Sequence, residues 1–178
     1  MKRLAIIAAA CFMLLCSFCL ASAEEYTHEE IMSALRQAVA ERGEFYTWSF
    51  EEKADFYNHY VYHDQGSRRG VPDGSCMDAA AVTETARQCL QAYLTEERID
   101  DDLSKYVIDV DFWIECFMDQ DREHELYSIS FIEKYPSPSA DGKTGICRYQ
   151  LTVSPYSGEV WNLFDTRRNV AKEITPEK

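Results

Sequence analysis

Three side chains on one stretch have the spacing for metal chemistry. Asp55, His59 and His63 recur at i, i+4 and i+8, which on a helix places them on one face as two or three ligands for zinc. The chemistry would be metal-dependent hydrolysis. The competing reading is a solvated face opposite an apolar stripe that begins at Phe50. Two further candidates fail on their own terms. His28 and Glu29 open like a zinc-protease helix, but Met32 stands where the second histidine belongs. Asp119, Asp121 and Glu123 echo a calcium loop, yet His124 replaces the required glycine and no glutamate closes the loop. None of the serines sits in a nucleophile elbow, and the histidines are scattered through polar segments. Paired carboxylates carry no weight in so acidic a chain. The expectation is no catalytic residue and no cofactor, with the Asp55, His59 and His63 hydrolase as the alternative.

The elements that would position these residues follow from capping and periodicity. Thr27 with Glu30 makes a capping box that opens a helix closing near Gly43, with Ile31, Leu35, Ala38 and Val39 as its apolar stripe. Ser49 with Glu52 opens a second, whose stripe reads Phe50, Ala54, Tyr57 and Val61. Residues 66–75 are rich in turn formers. A third helix begins at Asp78, with Met77 as a hydrophobic staple and Val82, Ala86, Cys89, Leu90 and Tyr93 facing inward.

From Tyr106 the period drops to two. Tyr106, Ile108, Val110, Phe112 and Ile114 alternate with Val107, Asp109, Asp111 and Trp113. Strands are also expected over 126–133, 146–153 and 159–164, the last two joined by a turn in which Gly158 takes the left-handed position. Residues 165–178 read as a frayed tail. Strands that follow helices in a block indicate an α+β fold: a helix packed on a three- to four-stranded antiparallel sheet, preceded by two N-terminal helices. Asp109, Asp111 and Trp113 would share its polar face, an interaction surface in which Trp113 is the anchor. A tryptophan covered by the N-terminal helices is the competing reading.

Compartment comes from the N-terminus. Lys2 and Arg3, an apolar run from Leu4 to Leu20, and the A-x-A site at Ala21, Ser22 and Ala23 form an export signal over 1–23. The competing reading is a membrane anchor. Cleavage would free the chain from the membrane and place it outside the cytoplasm. One domain remains, large enough to hide roughly 68–70% of its unfolded surface. The full sequence carries −13 charges, and loss of Lys2 and Arg3 makes it more negative. Such a surface repels phosphate, so nucleic acid and anionic membranes are excluded as default partners.

Four cysteines lie beyond the signal, an even set that in an exported chain suggests disulfides. Cys76 precedes the third helix and Cys89 lies about 16 Å along it, beyond the ~7 Å a bridge tolerates. An antiparallel helix and strand instead bring Cys76 to Cys116 and Cys89 to Cys147. Four buried thiols are the alternative.

Met77 and Asp78 followed by Ala80, Ala81, Val82, Thr83, Glu84, Thr85, Ala86 and Arg87 resemble the opening helix of PepSY-type domains. The run from Val153 to Val160 is similar to their closing hairpin, with Ser154 in place of the usual acid. Trp48 to Ala54 resembles a helix start that precedes such domains in secreted bacterial proteins. The resemblance covers 75–164, leaving 24–70 as a helical segment ahead of it. It implies a helix on an antiparallel sheet and a non-enzymatic binding or peptidase-inhibitory module whose partner is a protein or peptide, and it transfers no catalytic residue. A structural envelope protein without a discrete ligand is the remaining alternative.

Overall fold

The computed structural model describes residues 26–61, 67–116, 123–135 and 145–174, with the side chains of Cys116 and Glu123 left out of that description. Capping decides where the helices start. Thr27 and Glu30 exchange bonds around the first turn of α1 (His28–Arg42), and Ser49 and Glu52 do the same for α2 (Phe50–Tyr60). Asp78 accepts from the Ala80 amide at the head of α3 (Ala79–Glu96). A 3-10 turn, Phe45–Thr47, links α1 to α2.

The sheet is a six-stranded antiparallel meander with spatial order equal to chain order: β1 (Arg68–Arg69), β2 (Tyr106–Cys116), β3 (Glu123–Lys134), β4 (Gly145–Val153), β5 (Val160–Asp165) and β6 (Val170–Glu173). This corrects the expectation of a helix on three to four strands. The two strands missed are the shortest. β1 is two residues in the stretch read as linker, too short for alternation to register. β6 lies in the stretch read as a frayed tail and is mostly exposed, so its residues carry no apolar signal. It pairs with β5 from Asn162 with Glu173 to Asp165 with Val170. The hairpin ahead of β5 is as expected: Gly158 sits at φ 71°, and its amide donates to the Ser154 carbonyl at 3.0 Å. A side chain there would strike the Met77 sulfur, 2.9 Å from an ideal Cβ.

One face of the sheet packs on α3. Val82, Ala86, Leu90, Tyr93 and Leu94 of the helix meet Phe112, Ile129, Phe131, Tyr149, Leu151 and Leu163, all 4% exposed or less. Truncating one of these large side chains to alanine removes about 2–5 kcal/mol. A second, smaller core joins α1 to α2 through Ala38, Trp48 and Phe56. The α2 stripe is therefore rotated from the sequence reading: Lys53 and Phe56 are buried, whereas Val61 is 37% exposed. Phe50 reaches the main core, its ring 6.1 Å from that of Tyr127, so α2 is tied to the sheet at its first residue. β1 seals the edge of β2 because Gly70 lets the backbones close: its amide donates to the Phe112 carbonyl at 2.8 Å, and a Cβ would lie 2.8 Å from Ile114.

Strand irregularity also overturns a cysteine pairing. Phe131 pairs with Tyr149 but Ile132 pairs with Cys147, so Arg148 is an extra residue on β4. Alternation from Tyr149 would have put Cys147 on the α3 face beside Cys89. The bulge instead turns it to the opposite face, where Asp109 and Ser130 act on it. Cys89 stays against the α3 core. Cys76, Cys89 and Cys147 are all unbridged; the Cys116 side chain, the expected mate of Cys76, lies outside the described residues. Alkylation of the unreduced, denatured protein is therefore expected to label both Cys89 and Cys147. Mass spectrometry showing a peptide joined through these two would contradict the bulge.

Candidate functional site

The face of the sheet opposite α3 holds the expected interaction residues, but not at the surface. Asp109 and Asp111 point the same way from β2 by strand alternation and are each 6% exposed. Two cations meet them. Lys53, 2% exposed, comes from α2; its ammonium donates to Asp109 and, at 2.8 Å, to the Val110 carbonyl, and lies 3.6 Å from Asp111. Arg69 comes from β1 and places a guanidinium nitrogen 2.6 Å from Asp111. The guanidinium stacks 3.8 Å from the Trp113 ring centroid and 4.6 Å from that of Tyr57. Asn58 fixes β1 through two bonds, donating to the Arg69 carbonyl at 2.8 Å and accepting from its amide at 2.9 Å. The reading of Asp109, Asp111 and Trp113 as an exposed docking face is thus corrected: the acids are neutralised inside, and Trp113 is half-covered under Arg69.

Burial, then the charge of Asp109, pushes the Asp111 carboxyl above its usual range despite Arg69 and Lys53. A group with a raised folded pKa stabilises most below its ordinary value, and that contribution is lost as pH rises through the raised one.

A second acid behaves in the opposite sense. Asp101, whose side chain is 1% exposed, accepts from the Tyr106 hydroxyl at 2.7 Å, the Tyr149 hydroxyl at 2.7 Å and Arg167, and pairs with Lys105 at 2.6 Å. Burial alone would raise its pKa. The four donors outweigh that and hold the carboxyl far below the usual range, while burial and the carboxylate push both phenols up. The node locks the connection after α3 onto β2 and β4, and draws in the chain after β5. Its neighbour Asp102 caps the following turn, accepting from the Ser104 amide at 2.8 Å.

The Asp55 and His59 pair lies elsewhere. Both are exposed and line a cleft of about 400 Å³ between α1 and α2 with Gln37, Glu41 and Arg42. His59 Nε2 lies 3.1 Å from the Tyr26 hydroxyl. His63 lies outside the described residues, as do Asp119 and Asp121. Among the described residues no three histidines, cysteines or acids converge, and no helix is long and apolar enough to cross a membrane.

A second cleft, of about 420 Å³, opens between α1 and the sheet beside the ion quartet. Met32, Leu35, Val39, Phe45 and Ile132 form its apolar wall, with Cys147 in the lining and Arg36, Glu44 and Lys134 among the polar residues. Burial pushes the Cys147 thiol up, which keeps it protonated and slow to react. Lys134 is engaged by Tyr46, its ammonium 4.5 Å from the ring centroid. The sequence reading missed this cleft because its wall joins a helix stripe to two strand ends across more than 90 residues of chain. It also missed Lys53 and Arg69. Their signal was present: two aspartates alternating into a strand otherwise made of large apolar residues call for two cations, and Lys53 stands three residues from both Phe50 and Phe56.

No family model, curated protein or solved structure matches this chain.

Replacing Lys53 by methionine leaves the paired acids short of a counter-charge and is expected to cost about 3–5 kcal/mol at pH 7. Part of that loss should return as the pH is lowered, because Asp111, whose carboxyl already sits above its usual range, takes up a proton and relieves the uncompensated charge; urea unfolding at neutral and at mildly acidic pH checks it, and an equal loss at both would contradict the pairing. Asp101→Asn is expected to cost ~2–3 kcal/mol at neutral pH. Because the native carboxyl titrates far below its unfolded value, its contribution is lost as pH falls, so the wild-type advantage should narrow below about pH 4. An advantage that widens on acidification would overturn that assignment.

Proposed function

We propose that this chain is an exported, non-enzymatic binding module of PepSY-like type, and that the cleft between α1 and the sheet receives an apolar segment of a protein or peptide partner. The observation that carries the reading is the cleft itself: an apolar wall in a half-open space of about 420 Å³, within the size range of sites that enclose ligand groups. The best-placed acids support it from the other side. Asp101, Asp109 and Asp111 are spent on hydrogen bonds and ion pairs that hold elements together. The acidity of the chain favours a neutral or basic partner over nucleic acid. Inhibition of a peptidase is the particular form that the PepSY-like resemblance suggests, with the bound segment belonging to the peptidase.

The test is a peptide array carrying apolar heptapeptides, probed with the protein and with Leu35→Trp, which fills the cleft. Retained peptides are expected to bind with micromolar affinity and to be lost in Leu35→Trp while the melting curve stays within a few degrees of wild type. Retention unchanged in Leu35→Trp would refute the cleft as the receptor.

A further inference from the structure

The chemistry at the rim of the cleft narrows what enters it. We propose that the cleft takes the C-terminal residue of the partner chain, an apolar side chain against the wall and its free carboxylate on Arg36; this rests on the reading of the cleft as the binding site.

Three features point there. The first is size. At about 420 Å³ the cleft is near the small end of ligand sites, with room for the last residue or two of a chain. Its wall includes Met32, an unbranched side chain that adapts to differently shaped apolar groups.

The second is the cation. Two basic side chains line the cleft. Lys134 is held by Tyr46 and by the nearby charge of Glu44. Arg36 is exposed and makes no ion pair with a described residue. A guanidinium offers a planar fork of donors that matches a carboxylate bidentately. On a chain of net charge −13, long-range repulsion disfavours polyanions. A single anion joined directly to an apolar group is what this pairing of wall and cation selects.

The third is Glu44, half-buried in the same lining. A peptide presents a backbone N–H on the same Cα that carries its C-terminal side chain, and Glu44 can accept from it. An aliphatic acid would satisfy the wall and Arg36 but would cover Glu44 without supplying a donor, leaving a partly desolvated carboxylate unpaired. The observations therefore favour a peptide terminus over a fatty acid.

Fluorescence anisotropy tests this with labelled pentapeptides Gly-Ser-Gly-Ala-X, in which X is Leu, Ile, Val, Met or Phe, each as the free acid and as the C-terminal amide. The best free acid is expected to bind at least tenfold more tightly than its amide. Arg36→Gln should bring the acid down to the affinity of the amide and leave the amide unchanged, and bound peptide should slow maleimide labelling of Cys147. Leu35→Trp should abolish both. Acid and amide binding equally, both lost in Leu35→Trp, would overturn the terminal-carboxylate proposal and leave the cleft reading standing. No binding of any peptide, with dodecanoate protecting Cys147 in an Arg36-dependent manner, would overturn it in favour of an aliphatic acid. No binding or protection by any probe would remove both readings together.

Discussion

Two carboxylates inside a sheet cannot remain charged without cations, and Asp109 and Asp111 set that requirement for the whole molecule. The strand that carries them is central to the main core through Phe112, so it cannot turn its acids outward without exposing its apolar face. Moving β2 by one residue would exchange the two sets. The counter-charges must therefore come to the sheet, and they come from two different elements. Lys53 brings α2, and with it the α1 helix packed on Trp48 and Phe56. Arg69 brings β1, clamped to α2 by Asn58. A buried ion pair adds little net stability over an apolar one, but leaving one partner alone is expensive. Its effect here is placement: only one position of the N-terminal hairpin satisfies both acids.

That placement creates the cleft. With α1 held above the strand ends of β3 and β4, Met32, Leu35 and Val39 face Ile132 across a gap that none of the described side chains fills. The bulge at Arg148 contributes by sending Cys147 into the same space rather than into the α3 core. The two faces of the sheet are thereby given different work. The α3 face is apolar and close-packed, finished at one end by Asp101 with its phenols. The other face is polar at its centre and open at one side, and it is the side with room for a partner.

Much of this was legible from residue order. Among the described residues the three α-helix starts were marked by their caps, and the period change at Tyr106 located the first long strand. The α3 stripe faces the core as expected, with Cys89 half-buried against it, and lacked only Leu94, which is buried. What failed were features that depend on register and partners. Unbroken alternation through Arg148 would put Cys147 on the α3 face, and the one-residue bulge that turns it away leaves no mark in composition. A lysine among Glu51, Glu52 and Asp55 reads as solvated until its spacing from Phe50 and Phe56 is set beside the two aspartates of the strand facing it. Two-residue and mostly exposed strands have no periodic signal, so β1 and β6 were taken for linker and tail.

Native-state hydrogen exchange tests the central claim most directly, because it reports whether α2 opens with the sheet or apart from it. If Lys53 and Arg69 hold the helical hairpin to β2, the central amides of α2 and those of β2 should exchange with the same opening free energy and respond alike to added denaturant. Amides of α2 that exchange through a separate opening several kcal/mol below that of β2 would show that the buried ions do not bind the two layers into one unit.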